Sequence, residues 1–253
     1  MKMWSLGIMA LLAVTGAAHA KVVIHGTRVV YPAHDPEVIV RLSNLATDKP
    51  SVMQIWLDAG NASSSPDEVA VPFVTTPPVF RIEAGGSQSI RLSYTGEPLP
   101  EDRESLFWMN VLEIPPVPED AANAPQLQFS YRTRLKTFFR PRGLETVDAL
   151  KAPSLMTWSL QPAVSGRPAK LKVVNPTPFH VSLASVQTVQ GEKRVGTKRG
   201  NNAEANLVRP FSSQEFELNE SAEPVGGTQI EFIAVGDYGN RDKFTAPMAS
   251  ARP

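Results

Sequence analysis

Between Gln126 and Arg140 the chain alternates in character almost without a break. Leu127, Phe129, Tyr131, Thr133, Leu135, Thr137 and Phe139 fall on odd positions; Gln126, Gln128, Ser130, Arg132, Arg134, Lys136, Phe138 and Arg140 fall on even ones. A period of two is the signature of a strand whose side chains point to opposite faces. Strands usually run about five or six residues. One of roughly 14 residues would span about 45 Å, which exceeds what a small sandwich needs. Two readings follow. The odd face is buried along its whole length, or its N-terminal part projects Leu127, Phe129 and Tyr131 at the edge of its own core. An exposed apolar strand edge invites aggregation, so the second reading requires a partner.

The rest of the chain repeats the β pattern on a smaller scale. Short runs rich in Val, Ile, Phe, Tyr and Thr, such as Val22–Tyr31, Ser51–Leu57, Ser89–Tyr94 and Phe107–Ile114, alternate with Pro, Gly, Asn and Asp. His180–Thr188, Ser213–Leu218 and Thr228–Val235 continue it in the second half. No window sustains a 3.6-residue apolar period over helical length, and the 23 prolines oppose long helices. The expected fold is all-β, built as immunoglobulin-like sandwiches. Pro141 and Gly143 interrupt the pattern after the longest strand, which divides the chain into domains at 21–141 and 142–253. Pro115–Pro125 reads as a loop, and the basic run Lys193–Arg199 as a solvated hairpin tip.

Lys2, an apolar stretch from Met3 to Val14 and Ala18-His19-Ala20 form the order of a cleavable export signal, expected at 1–20. The stretch is short of the roughly 20 residues of a membrane-spanning helix, and no later stretch is apolar enough to insert. The chain contains no cysteine, so an exported product must be held together by its cores alone. Formal charge is balanced, with 25 basic and 25 acidic residues, which gives no reason to expect nucleic acid as a partner. There is no Gly-x-Ser-x-Gly, phosphate loop, His-Glu-x-x-His or dinucleotide glycine signature. His25, His34 and His180 are not spaced as metal ligands, and Asp67-Glu68 and Glu119-Asp120 read as solvated loop pairs. No enzyme, no metal and no cofactor is expected.

Several segments together resemble one family. They are Thr27–Tyr31, Thr76–Gly85 with its Pro-Pro and Arg81, Asp102–Asn110 followed by Ile114-Pro115-Pro116, Leu135–Pro141, Asn175–Phe179 and Asp237-Tyr238-Gly239. In this order they are similar to the PapD-like periplasmic chaperones of the chaperone–usher pilus pathway. The short-loop branch fits best, since the loop before the long strand is modest and no cysteine pair accompanies it. The resemblance implies two immunoglobulin-like domains in an L or boomerang shape, located in the periplasm of a Gram-negative bacterium.

It also implies roles. Arg28 and Lys136 would grip the C-terminal carboxylate of a pilus or fimbrial subunit. Leu127, Phe129 and Tyr131, on the donor strand 126–140, would fill a groove in that subunit by donor-strand complementation. Glu104, Arg140 and Asp237 would form an interdomain charge cluster. The implied partners are fimbrial subunits and an outer-membrane usher, with self-dimerisation through the donor-strand edge as a way to shield it. The alternative at this point is a tandem immunoglobulin-like adhesin or carbohydrate-binding module working through its loop tips.

Overall fold

The computed structural model describes residues 22–68, 70–116, 129–144, 146–163, 168–198, 200, 204–219 and 228–249. The expected signal at 1–20, the loop from residue 117 to 125 and donor residue Leu127 lie outside them.

The chain is an all-β, two-domain fold. The first nine strands are β1 (Val22–Ile24), β2 (Arg28–Pro32), β3 (Val38–Asn44), β4 (Ser51–Asp58), β5 (Phe73–Thr76), β6 (Val79–Ile82), β7 (Ser87–Tyr94), β8 (Ser105–Ile114) and β9 (Tyr131–Arg140). They form a four-stranded sheet in the order β1-β3-β7-β5 and a five-stranded sheet in the order β2-β9-β8-β4-β6. Alternate residues of each strand turn inward, and Leu42, Met53, Ile90, Leu92 and Met109 meet between the sheets with essentially no exposure. Tyr31 seals one end of this core. Its ring packs on Phe73 and Phe139, and its hydroxyl donates to the carbonyls of Asp35 and Pro36.

A helix follows that the sequence pattern does not reveal, α1 (Thr146–Leu155). It is short, contains Pro153, leaves Val147, Leu150 and Leu155 exposed and turns only the small Ala149, Ala152 and Pro153 towards the second core, so its amphipathic signal is weak. The remaining strands are β10 (Thr157–Gln161), β11 (Lys170–Asn175), β12 (Val181–Gln190), β13 (Lys193–Gly196), β14 (Leu207–Val208), β15 (Ser212–Glu217), β16 (Gln229–Val235) and β17 (Arg241–Ala249). They are ordered β13-β12-β16-β17-β10-β11-β15, with β14 pairing β12. The single ladder turns over at β17, which pairs β16 antiparallel and then β10 parallel. Trp158 of β10 therefore packs across the core on Phe232 of β16, with ring centroids 5.1 Å apart. The turn of the β12–β13 hairpin is at Gly191, and the basic residues Lys193 and Arg194 stand on β13 itself rather than at the tip.

Candidate binding site on an open strand edge

β9 has two neighbours of unequal length. β8 pairs it antiparallel from Tyr131 to Phe139. On the other edge β2 pairs it parallel, and only from Lys136 to Arg140. Residues 131–135 thus keep one edge without a strand among the described residues. The odd face divides near the same point. Leu135, Thr137 and Phe139 are buried in the first core, whereas Thr133 and Tyr131 are exposed. Tyr131 is 50% exposed and Phe129, just before the strand, is 58% exposed. The long alternating run is therefore one strand with two fates: core packing towards Arg140 and an apolar, unpaired surface towards Phe129.

Arg28 and Lys136 are direct register partners at the point where β2 begins, so they cap the open edge. Nη1 of Arg28 donates to the carbonyl of Val235 at 2.8 Å, and its guanidinium lies 6.0 Å from the Phe138 ring centroid. Its Nε is buried with no hydrogen-bond partner among the described residues. Nζ of Lys136 sits 5.5 Å from the Trp108 ring centroid. Burial pulls the Arg28 guanidinium below its usual value, while the charges of Asp237 and Glu104 oppose that shift. Burial, followed by the Arg28 charge, pulls the Lys136 ammonium down as well, against a smaller contribution from Glu204. These are two half-desolvated cations side by side with an orphaned N–H, and an anion placed there would relieve both the repulsion and the unmet donor.

Glu104, Arg140 and Asp237 also meet. Nε and Nη2 of Arg140 donate to Glu104 Oε1 at 3.0 and 2.7 Å, and its Nη1 donates to Asp237 Oδ2 at 3.0 Å and to Thr146 Oγ1 at 3.1 Å. Glu104 Oε2 accepts the backbone N–H of His180 at 2.8 Å. Burial works against the Arg140 charge, but the bond to Asp237 and the charges of Glu104 and Asp237 outweigh it and hold the guanidinium above its usual value. The cluster ties β8 and β9 to α1, β12 and the β16–β17 turn, across the two sandwiches. In that turn Gly239 has φ +81°, and a Cβ on it would stand 2.6 Å from Thr27 Oγ1. The turn thus lies directly against the residue before Arg28.

A further group was not singled out by sequence pattern. Trp56 pairs Asn110 and Asp58 pairs Trp108 across β4 and β8, and all four are buried although none belongs to the apolar core. Arg132 lies over Trp56 and Arg134 over Trp108, at 4.6 and 4.7 Å from the ring centroids. Arg134 Nη2 reaches both Asp58 oxygens, at 2.6 and 2.8 Å. Asn110 donates to Asp58 Oδ2 at 2.7 Å, and its Oδ1 accepts from Arg132 Nε at 2.9 Å and Arg134 Nε at 3.1 Å. Arg132 Nη1 also donates to the Ala62 carbonyl at 2.8 Å. The one sequence trace of this arrangement is a repeated spacing: Trp-x-Asp in β4 and Trp-x-Asn in β8.

Among the described residues no His, Cys, Asp and Glu group is placed to hold a metal ion, and no helix is long and apolar enough to cross a membrane.

Comparison with known proteins bears on the same regions. Residues 21–145 match the N-terminal domain of PapD, described as a pili and flagellar-assembly chaperone, and residues 151–246 match the PapD pili assembly chaperone C-terminal domain. The chain is 37% identical over 250 residues to the chaperone protein FimB/FhaD of Bordetella pertussis, covering 97% of this chain and 95% of that one. It is 38% identical over 231 residues to the probable fimbrial chaperone YadV of Escherichia coli K12, covering 90% of each. The structure of the SafB chaperone in complex with the Salmonella enterica SafA pilin aligns with a TM-score of 0.69 at 28% identity, over 89% of this chain and 95% of that one.

Proposed function

Since the chain belongs to the PapD family of pili and flagellar-assembly chaperones, we propose that it captures fimbrial subunits on the open edge of β9 and holds their C-terminal carboxylate between Arg28 and Lys136. It is a non-enzymatic assembly chaperone of pilus subunits. The observation that carries the binding mode is the coincidence of three limits at one place. The open edge ends, β2 begins, and the two cations stand in register.

An anchor at that point implies a direction. A guest strand whose terminal carboxylate rests at Lys136 and whose preceding residues run back towards Phe129 lies parallel to β9 and head-to-tail with β2. It takes the ladder position that β2 leaves vacant, and the backbone N–H and C=O groups of 131–135 supply the hydrogen bonds. Phe129 and Tyr131, with Leu127, then face a groove in the guest. Burying each contributes roughly 1.5–3 kcal/mol before ordering costs. The carboxylate sets the register, so the side chains meet the same guest positions each time.

The family acts in the periplasm, and residues 1–20 are read as the export signal that takes the chain there. Delivery of the captured guest to an outer-membrane usher, and self-pairing of free molecules through the β9 edge, belong to the same proposal. So does the division into domains at 21–141 and 142–253, with Glu104, Arg140 and Asp237 fixing the angle between them.

The deciding experiment is co-expression of a fimbrial subunit with wild type, Arg28→Ala and Lys136→Ala in the periplasm. Recovery of a soluble one-to-one complex with wild type and its loss in both variants is expected. Equal recovery in all three would remove the anchor assignment.

A further inference from the structure

Residues 131–135 have only half of a strand's ordinary support. Among the described residues one edge is unpaired, and the odd face is bare at Tyr131 and Thr133. A segment so exposed opens locally at little cost unless something else holds it. The remaining candidate is its even face, where Arg132 and Arg134 are clamped between two tryptophan rings, Asp58 and Asn110. Asp58 is 1% exposed and is the sole carboxylate paired with these arginines among the described residues. Arg132, Arg134, Lys136 and Arg28 follow one another along this strip, so without Asp58 the cations would repel and splay.

We propose that Asp58 and Asn110 are positioning residues for capture of the guest: through Arg132 and Arg134 they hold residues 131–135 extended on β8, so that the open edge is a finished template before a guest arrives. The proposal rests on the reading of that edge as the site where fimbrial subunits bind. The charge asymmetry supports it. Burial, and then the neighbouring Arg134 charge, pull the Arg132 guanidinium down, and Asp58 opposes them. The clamp also continues into the anchor, because Trp108 lies beneath both Arg134 and Lys136. The indole that orders the template therefore also orients one of the two cations that receive the carboxylate. A preformed edge removes an ordering cost from binding, and that saving belongs to association rather than to the finished complex.

The test uses the full-length mature chain as wild type, Asp58→Asn and Arg132→Gln. Amide hydrogen exchange is followed without a guest. Capture is followed with a fimbrial subunit diluted from guanidinium chloride. The expected result for Asp58→Asn is exchange at 131–135 faster by about ten- to a hundredfold, with β3 and β7 unchanged. The association rate should fall about tenfold while dissociation of the formed complex changes little, because the guest then holds the segment from its other edge. Arg132→Gln should show the same pattern more weakly, and it decides the matter if Asp58→Asn does not fold. Unchanged exchange at 131–135 together with an unchanged association rate, in a folded variant, would overturn the proposal. Failure of wild type to bind the guest would instead sink the binding role, leaving the exchange comparison to decide whether Asp58 orders the strand.

Discussion

The carbonyl oxygen of Val235 accepts a hydrogen bond from Arg28 Nη1 at 2.8 Å, so the second sandwich holds the side chain that caps the open edge of the first. Val235 closes β16, and Asp237, two residues on, bonds Arg140. The contact that holds Arg28 and the contact that joins Arg140 to the second domain therefore share one turn. Gly239 lies in that turn, against Thr27. Gly239→Ala would force a left-handed backbone on a residue with a Cβ and drive that Cβ into Thr27. The expected cost is about 1–2 kcal/mol, and capture should weaken through displacement of Arg28. Urea unfolding checks the first effect. Binding of a peptide that copies the last residues of a fimbrial subunit checks the second, with the same peptide amidated at its end as the control lacking a carboxylate.

Breaking the interdomain cluster should be costlier. Arg140 and Glu104 are both almost wholly buried, and removing Arg140 leaves the Glu104 carboxylate with only its His180 contacts and takes the guanidinium away from Asp237. Arg140→Ala should lose about 3–5 kcal/mol, whereas replacing both by apolar residues should cost less. Small-angle scattering should show a broader spread of interdomain distances in Arg140→Ala. An unchanged distribution would separate the cluster from domain orientation.

At Lys136 stability and function should oppose each other. Burial and Arg28 lower the pKa of its ammonium, so the folded chain binds fewer protons there than the unfolded chain does. Stability therefore rises with pH through the window that closes at the ordinary lysine value of about 10.4. Lys136→Met should abolish that alkaline gain and raise Tm at neutral pH by about 2–4 °C, while losing capture. Urea midpoints of both proteins across a pH series test the claim; parallel curves would refute it.

The two fates of β9 give a paired prediction. Phe129→Asp should change the stability of the free chain by less than about 0.5 kcal/mol and remove capture. Leu135→Ala, on the same face but in the core, should cost about 2–5 kcal/mol. Thermal unfolding alongside recovery of the bound guest distinguishes them.

Much of the all-β, two-domain architecture was legible in the residues, because period-two alternation and proline punctuation are local signals. In β9 the alternation specifies the faces of Leu135 and Tyr131 equally well, yet one is buried and the other is not. What separates them is the point at which β2 begins, and that depends on strand pairing rather than on pattern. The adjacency of Arg28 and Lys136 came from likeness to a family, since nothing local links two residues so far apart. Asp58 was invisible for the same reason: its partner Arg134 is 76 residues away. Helix α1 leaves little local trace because its larger apolar residues face solvent, its inward face is built from Ala149, Ala152 and Pro153, and a proline argues against a helix.

The bare stretch of the odd face also bears on how a chain like this can change over generations. Phe129, Tyr131 and Thr133 are exposed and outside its own core, so replacements there are nearly free of consequence for folding. Two positions further along, at Leu135, the same strand tolerates little. If guests bind as proposed, a new one can be accommodated by altering side chains that the fold does not consult, while the backbone ladder, Arg28 and Lys136 stay as they are.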